Sequence, residues 1–328
     1  MSGGMNLRAA WPVIALLAAL AVVAGLTLAF LPGAPDPSPA AIPTATPSPT
    51  ASPRPTQRPT ARPTPSPSPT PGPDLDALNV TVLLVGRDFL SERVALGESG
   101  FNTDMLIVAN VRADGSRIDL IGLPRDTVDM PLSDGSIWNR KINSLRASRG
   151  LPALKDAMAT ALAMPIDYYA EITLDDLRNL VNAIGGVTVR IPSTLRDPHL
   201  KVTWQAGDNT LDGRMAVLFA RSRYADSDYA RGDRNQALLI AIRDRLLAGG
   251  YDPRALLTGL AGLDTDIPAG DMPMLLDLAR ASSGAPIGRE VLAPPEYTTF
   301  VGLSGARGWI SVPDLAAIRA YTASVLAP

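Results

Sequence analysis

Between Pro32 and Asp74 the chain repeats P-S-P, P-T-P and R-P-T, and about half of its 31 prolines fall there. Proline fixes φ and lacks the N–H that helices and sheet interiors require. With few large apolar side chains, such a stretch cannot build a core and adopts extended polyproline II. At about 3.1 Å per residue its forty-odd residues reach on the order of 130 Å. The chain of 328 residues therefore divides into an apolar head (1–31), a spacer (32–74) and one candidate globular part (75–328). The last is long enough for one large core or two modest domains.

Trp11 to Leu31 carries no charge. A helix of about 21 residues spans about 30 Å, the thickness of a bilayer core. Arg8 and the amino terminus are the only positive charges close to it on one side, and the next basic residue is Arg54. That bias predicts a short cytoplasmic N-terminus (1–10), a single-pass transmembrane helix (11–31) and a globular part held outside the cell membrane. A cleaved signal peptide is the alternative. Its apolar region runs roughly 7–15 residues, and Ala29 and Ala34 make no small-x-small cleavage site.

The net charge of −2 supplies no field for nucleic acid. With no cysteine, disulfides, thiol nucleophiles and thiolate metal sites are excluded. His199 is the single histidine, which excludes a multi-histidine zinc centre; in Asp197-Pro198-His199 it reads as a surface turn. Lys141, Lys155 and Lys201 are the only lysines, so arginine carries the positive charge, and only clusters of it bear on function.

From Asn79 onward the pattern is mixed. Residues 80–86 (V-T-V-L-L-V-G), 104–111 and 117–123 predict strands, the last two joined by a turn at Ala113-Asp114-Gly115-Ser116. Strands are also predicted at 167–173, 187–191 and 289–292. Helices are predicted at 152–164, 174–184, 212–221, 231–248, 252–262, 271–282 and 313–326, with Gly185-Gly186 and Gly249-Gly250 as stops. This order predicts an α/β fold with a central mixed β-sheet flanked by helices.

Four clusters carry chemistry. Asp88 follows the first strand and Asp104 opens the second. Paired carboxylates beyond strand ends suit a hard divalent cation that also binds phosphate oxygens, or they are simply strand-end turn residues. Pro124 ends the third strand and displays Arg125 beside the Asp104 strand, unless Arg125 merely pairs with Asp126. Lys141 lies in R-K-I-N (140–143), before a helix. The densest cluster is R-S-R-Y-A-D-S-D-Y-A-R-G-D-R-N-Q (221–236), with Arg221, Arg223, Arg231 and Arg234. Arg231 and Arg234 are three apart on one helix face, in first turns whose dipole favours anions, with Asp228 as a candidate cap. The reading is a phosphate site or an exposed turn laced with salt bridges.

The order G-R-D (86–88), N-T-D-M (102–105), L-P-R-D-T (123–127), K-I-N (141–143), P-I-D-Y-Y (165–169), N-A-I-G-G-V (182–187), L-D-G (211–213) and R-x-R…D-S-D-Y-A-R-x-x-R-x-Q (221–236) resembles the LytR-CpsA-Psr family, from about Asn79 to Leu247. The resemblance implies an extracytoplasmic domain, 75–249, that moves a glycopolymer from a polyprenyl-pyrophosphate carrier to peptidoglycan through a phosphodiester bond. It implies Asp88 and Asp104 as ligands of Mg²⁺ or Mn²⁺. It further implies Arg125, Arg221, Arg223, Arg231 and Arg234 on the phosphates, helped by Lys141 and Gln236, and catalysis by Asp104, Arg125, Arg221 and Arg223. An apolar groove, including the 231–248 helix, would take the lipid. The partners implied are the polyprenyl-pyrophosphate-linked glycan, peptidoglycan and the membrane, with no nucleic acid. Asn102 departs from the pattern, which usually has arginine there, and Asn235 replaces a frequent glutamine. Residues 250–328 read as a C-terminal extension packed on or beside the domain. The rival functions are a hydrolase of the lipid carrier and a non-catalytic binder or regulator of envelope polymers.

Overall fold

The computed structural model describes residues 79–223, 227–259 and 263–327. The expected membrane helix, 11–31, and spacer, 32–74, lie outside them. Among the described residues no helix is long and apolar enough to cross a membrane.

The chain opens with β1 (Asn79–Arg87), α1 (Ser91–Ala95), β2 (Thr103–Arg112) and β3 (Ile118–Gly122). A small hairpin, β4 (Met130–Pro131) and β5 (Ile137–Trp138), precedes α2 (Leu145–Leu162), β6 (Tyr168–Thr173), α3 (Leu174–Ala183) and β7 (Val187–Ile191). Next come β8 (Leu195–Asp197), β9 (Val202–Trp204), β10 (Gly207–Leu211), α4 (Gly213–Arg221) and α5 (Asp228–Ala248). The chain ends with α6 (Pro253–Gly259), β11 (Asp264–Thr265), α7 (Met272–Ala281), β12 (Ile287–Val291), the hairpin β13 (Thr298–Leu303) and β14 (Trp309–Pro313), and α8 (Leu315–Leu326).

The central sheet has the order β11-β6-β1-β2-β3-β12. β1 and β6 run parallel, as do β3 and β12, while β1–β2, β2–β3 and β6–β11 are antiparallel. The predicted mixed sheet is present. Side chains alternate across it. Leu83 and Val85 join Leu106, Val108 and Ile121 in a core closed by Leu154 and Met158 of α2 and Ile318 of α8. Each such side chain contributes about 1.5–3 kcal/mol when fully buried. Leu84, between them, belongs to the opposite face, which α3, α4 and α5 cover.

Local sequence explains the element ends. Thr173 caps α3 through a capping box: its Oγ1 accepts from the Asp176 N–H at 3.1 Å, and Asp176 Oδ2 accepts from the Thr173 N–H at 2.9 Å. Gly185 and Gly186, at φ 78° and 93°, then turn the chain out of the helix. At Gly86 a Cβ would stand 2.7 Å from the Met105 Cβ, so the β1–β2 pair closes there only around glycine. α2 begins seven residues before the Pro152 where a start was expected. It is two helices meeting at Gly150 (φ 85°), and Pro152 sits early in the second, where its missing N–H costs nothing.

The segment beyond residue 250 is woven into the sheet and does more than lie against it. β11 and β12 are the two edge strands, and the Leu292 N–H donates to Gly122 O at 2.8 Å. β14 reaches the loop after β3: the Ser311 N–H donates to Asp126 O at 3.1 Å, and the Val128 N–H donates to Ser311 O at 3.0 Å.

Candidate active site

Where β1 ends and β2 begins, the chain must place two polar loops next to an apolar sheet face. The Asp88 N–H donates to Asn102 O at 2.9 Å, which ties the two loops together. Phe89 packs edge-on against Phe101 with ring centroids 5.1 Å apart, and the Arg87 and Arg93 guanidinium carbons lie 5.0 and 5.3 Å from the Phe89 and Phe101 ring centroids. Asp88 is thereby fixed at the end of β1, held by Arg93 Nη1 at 2.8 Å and Arg221 Nε at 3.2 Å.

Beside it opens a cavity of about 210 Å³, between the sheet and α3, α4 and α5. Its walls are apolar: Leu84 and Ile172 from the sheet, Leu177 from α3, and Leu238, Leu239 and Ile242 from α5. Its polar end is built from Asp88, Asp104, Arg125, Arg221, Arg223 and Arg231. One ligand filling it must be apolar at one end and anionic at the other.

At that end charges alternate around a ring. Arg125 Nη1 donates to both Asp104 oxygens at 2.9 Å. Arg231 Nη1 stands 3.6 Å from Asp104 Oδ2, Arg231 Nη2 3.5 Å from Asp228 Oδ1, and Arg125 Nη2 3.6 Å from Asp228 Oδ2. The three looser contacts hold the guanidinium planes in place while leaving N–H groups for an incoming anion. Burial works against the Arg125 charge, but Asp104 and Asp228 more than offset it and its pKa is raised. At Arg231 burial prevails over Asp104 and the pKa is lowered. Arg231 is thus a cation short of counter-charge, the condition that favours binding an anion. Asp228 is also held below its ordinary value: burial raises its pKa, and Arg231 with Arg125 outweighs that effect.

The helix α5 sorts the arginine run. At about 100° per residue, Leu238 and Ile242 lie within about 20° of Arg231, and Asn235 and Leu239 lie about 40° and 80° to one side, whereas Arg234 falls about 60° to the other side and Gln236 about 140° away. Accordingly Arg231, Asn235, Leu238 and Ile242 line the cavity. Arg234 turns back, and its Nη2 donates to Ser222 O, fixing the end of α4. Gln236 is fully buried on the sheet side: its Nε2 donates to Glu290 O at 2.7 Å and Leu120 O at 3.2 Å. The structure brings neither Arg234 nor Gln236 to the expected phosphate site; sharing the arginine-rich stretch is not sharing a helix face. Lys141 also stands outside the cavity, on the far side of Arg125, with its Nζ 2.7 Å from Asp126 Oδ1.

Asp228, expected as a cap, is not one. Ser227 caps α5, its Oγ accepting from the Ala230 N–H at 3.1 Å, and Asp228 joins the charge ring. Arg87 lines the cavity without having been expected there, and so does Asn235, noted from the sequence only as replacing a glutamine; helical periodicity would have placed Asn235. His199 is exposed and does not line the cavity, although Leu200 beside it does, while Asp197 is fully buried and accepts from Ser222 Oγ at 2.8 Å and the Arg223 N–H at 3.3 Å. That aspartate sets where Arg223 emerges.

Among the described residues there is no group of three or more acidic, histidine or cysteine side chains able to hold a metal by themselves. Asp88 and Asp104 offer hard oxygens, and Asp88 Oδ1 is buried and makes no hydrogen bond, its contact being the ion pair with Arg221 Nε at 3.2 Å. Two carboxylates fit a small divalent cation that completes its shell with water and phosphate oxygens, and so binds together with an anionic ligand.

The model of the LytR_cpsA_psr family matches residues 55–251. Polyisoprenyl-teichoic acid–peptidoglycan teichoic acid transferase TagU of Enterococcus faecalis is 32% identical over 199 residues, 58% of this chain and 63% of that protein. The cell wall biosynthesis protein LcpA of Corynebacterium glutamicum is 27% identical over 213 residues, 52% of this chain and 40% of that one. The chain thus spans about two fifths to three fifths of the length of these relatives. Among solved structures, Bacillus subtilis TagV superimposes with a TM-score of 0.59 at 22% identity, covering 76% of this chain and 98% of that one. TagT bound to LIIa-WTA superimposes with a TM-score of 0.59 at 21% identity, covering 77% and 91%. These two share the fold.

Proposed function

The chain belongs to the LytR-CpsA-Psr family, and from that premise we propose that it is a membrane-anchored, extracytoplasmic phosphotransferase. It moves a glycopolymer from a polyprenyl-pyrophosphate carrier to peptidoglycan through a phosphodiester bond. The observation that carries this reading is the cavity whose apolar length ends in arginines, a match for a ligand with a lipid tail and a diphosphate head. The names of the relatives, among them a teichoic acid transferase acting between polyisoprenyl-linked teichoic acid and peptidoglycan, support the reaction class.

In this reading Leu84, Ile172, Leu238 and Ile242 take the prenyl chain. Arg125, Arg221, Arg223 and Arg231 hold the diphosphate and stabilise the charge that builds on its oxygens as the bond breaks. Asp88 and Asp104 would hold Mg²⁺ or Mn²⁺ together with the substrate, and the bound ion would neutralise diphosphate charge. An acceptor hydroxyl oxygen bonds to the glycan-linked phosphorus, the bridging P–O bond breaks, and polyprenyl phosphate leaves with the electron pair. Asp126 takes the proton. Asp104 is the other candidate, but both of its oxygens accept from Arg125 at 2.9 Å, whereas Asp126 is paired closely at one oxygen, by Lys141 at 2.7 Å, and its Oδ2 stands 3.7 Å from Arg125 Nε.

The test uses the full chain in detergent with a polyprenyl-pyrophosphate glycan, Mg²⁺ and peptidoglycan. Release of polyprenyl phosphate with glycan bound to the wall polymer is expected. Lipid release without linkage would make it a hydrolase. Binding without release would make it a non-catalytic binder of envelope polymers.

A further inference from the structure

Across Arg125 from the apolar cavity lies a second cleft, of about 510 Å³. Its walls come from three distant parts of the chain: Asn102 before β2, Arg140, Lys141 and Asn143 before α2, and Arg307 from the turn between β13 and β14. Arg125 and Asp126 belong to both the cleft and the loop that ends β3. No large apolar side chain lines it, so it does not continue the lipid cavity. Amide, hydroxyl, carboxylate and guanidinium groups together offer dense donors and acceptors, which suits a hydroxyl-rich ligand.

The cleft is braced before any ligand arrives. Arg307 Nη1 pairs with Asp129 at 3.1 Å, Lys141 Nζ pairs with Asp126 at 2.7 Å, and the Asn143 N–H donates to Arg125 O at 3.3 Å. Arg125 Nε is buried and makes no hydrogen bond. The two spaces therefore meet at one guanidinium, with a lipid-shaped volume on one side and a polar one on the other.

Phosphoryl transfer keeps the attacking and leaving oxygens roughly in line. If the prenyl phosphate leaves toward the apolar cavity, the nucleophile comes from the opposite side of the phosphorus, past Arg125. We propose that this cleft is the acceptor site and holds a saccharide unit of peptidoglycan, one of whose hydroxyls faces Asp126. The proposal rests on the transferase reading above. The hydroxyl oxygen bonds to the phosphorus, its proton passes to Asp126, and the bridging P–O bond breaks with polyprenyl phosphate leaving.

The experiment titrates a soluble muropeptide (a disaccharide with its stem peptide) into the full chain in detergent, and separately a polyprenyl diphosphate. Two substitutions obstruct or strip the cleft at exposed positions, Asn102→Trp and Arg140→Ala; Leu239→Trp fills the apolar cavity instead. Muropeptide affinity is expected to fall about tenfold in both cleft variants, the scale of one lost hydrogen bond to a charged group, and to hold in Leu239→Trp. Diphosphate affinity is expected to show the reverse. In turnover, the cleft variants raise the acceptor KM and leave the donor KM unchanged. Unaltered muropeptide affinity in both cleft variants would overturn the proposal. So would a rise in donor KM alone, which would give the cleft to the donor's own glycan. A wild-type chain that binds muropeptide in the cleft yet transfers nothing would sink the transferase reading and leave the cleft standing.

Discussion

Replacing Gln236 with leucine is expected to loosen the domain and spare its site. The side chain is fully buried, and its Nε2 donates to Glu290 O at 2.7 Å on β12 and to Leu120 O at 3.2 Å on β3. Arg289 Nε approaches its Oε1 at 3.4 Å. Two neutral hydrogen bonds contribute about 0.5–1.5 kcal/mol each, and a buried carbonyl left without its donor adds to the loss, for about 2–3 kcal/mol in all. Leucine recovers little through packing, since a Cβ built on Gly122 would lie only 3.2 Å from this Nε2 and the space is full. For a domain of this size each kcal/mol moves Tm by about 2–4 °C, so a drop of about 4–12 °C is expected in a thermal melt followed by circular dichroism. Turnover measured well below that temperature should stay within about twofold of the parent, because the site itself is untouched. The opposite result, an unchanged Tm with turnover lost, would refute the reasoning and return Gln236 to the phosphate.

Other outcomes follow from the charge ring. Arg231→Ala should cut kcat/KM by at least about a hundredfold, since it leaves Asp104 and Asp228 sharing Arg125 in a partly buried site; Arg231→Lys should rescue little, because one ammonium cannot serve two carboxylates. The Asp228 pKa lies below its ordinary 3.8 in the folded chain, so the stability it lends is complete above that value and is lost as pH falls through the lowered one. Denaturant melts of Asp228→Asn should accordingly show a shallower loss of stability on acidification. Chelating divalent cations should stop turnover and weaken diphosphate binding in calorimetry, both restored by Mg²⁺; unchanged diphosphate affinity would count against Asp88 and Asp104 as ligands. Ser311→Pro, which removes the N–H bonded to Asp126 O, should lower kcat more than Tm.

Long elements were readable because their side-chain periods are long enough to count. β1, β2 and α3 fall within a residue or two of their predicted bounds, and β7 spans Val187–Ile191 as expected. β4, β5 and β11 are two residues each; no period exists in two residues, and only tertiary pairing makes them strands. The hairpin β13–β14 was passed over for a different reason, since Phe300, Leu303 and Trp309 are exposed and break the usual inside–outside pattern. At the site, Asp88, Asp104 and Arg125 were legible as strand-end residues, because a strand's end is where the sheet stops covering polar groups. Arg234 and Gln236 misled because a motif records neighbours along the chain, while a helix distributes them around an axis. Asp228 was hidden by Ser227, the better cap one residue earlier.

The edge strand β12 and the Ser311 bonds to the Arg125–Asp129 loop come from the last fifth of the chain. Synthesis proceeds from the amino end, and domains fold as units. A nascent chain that has already emitted Asp88, Asp104 and every arginine of the ring still lacks the strand that completes the sheet and the backbone that steadies Arg125. Residues 287–313 therefore add no group to the charge ring, yet the edge strand and the Ser311 bonds they supply are what hold Arg125 in its place.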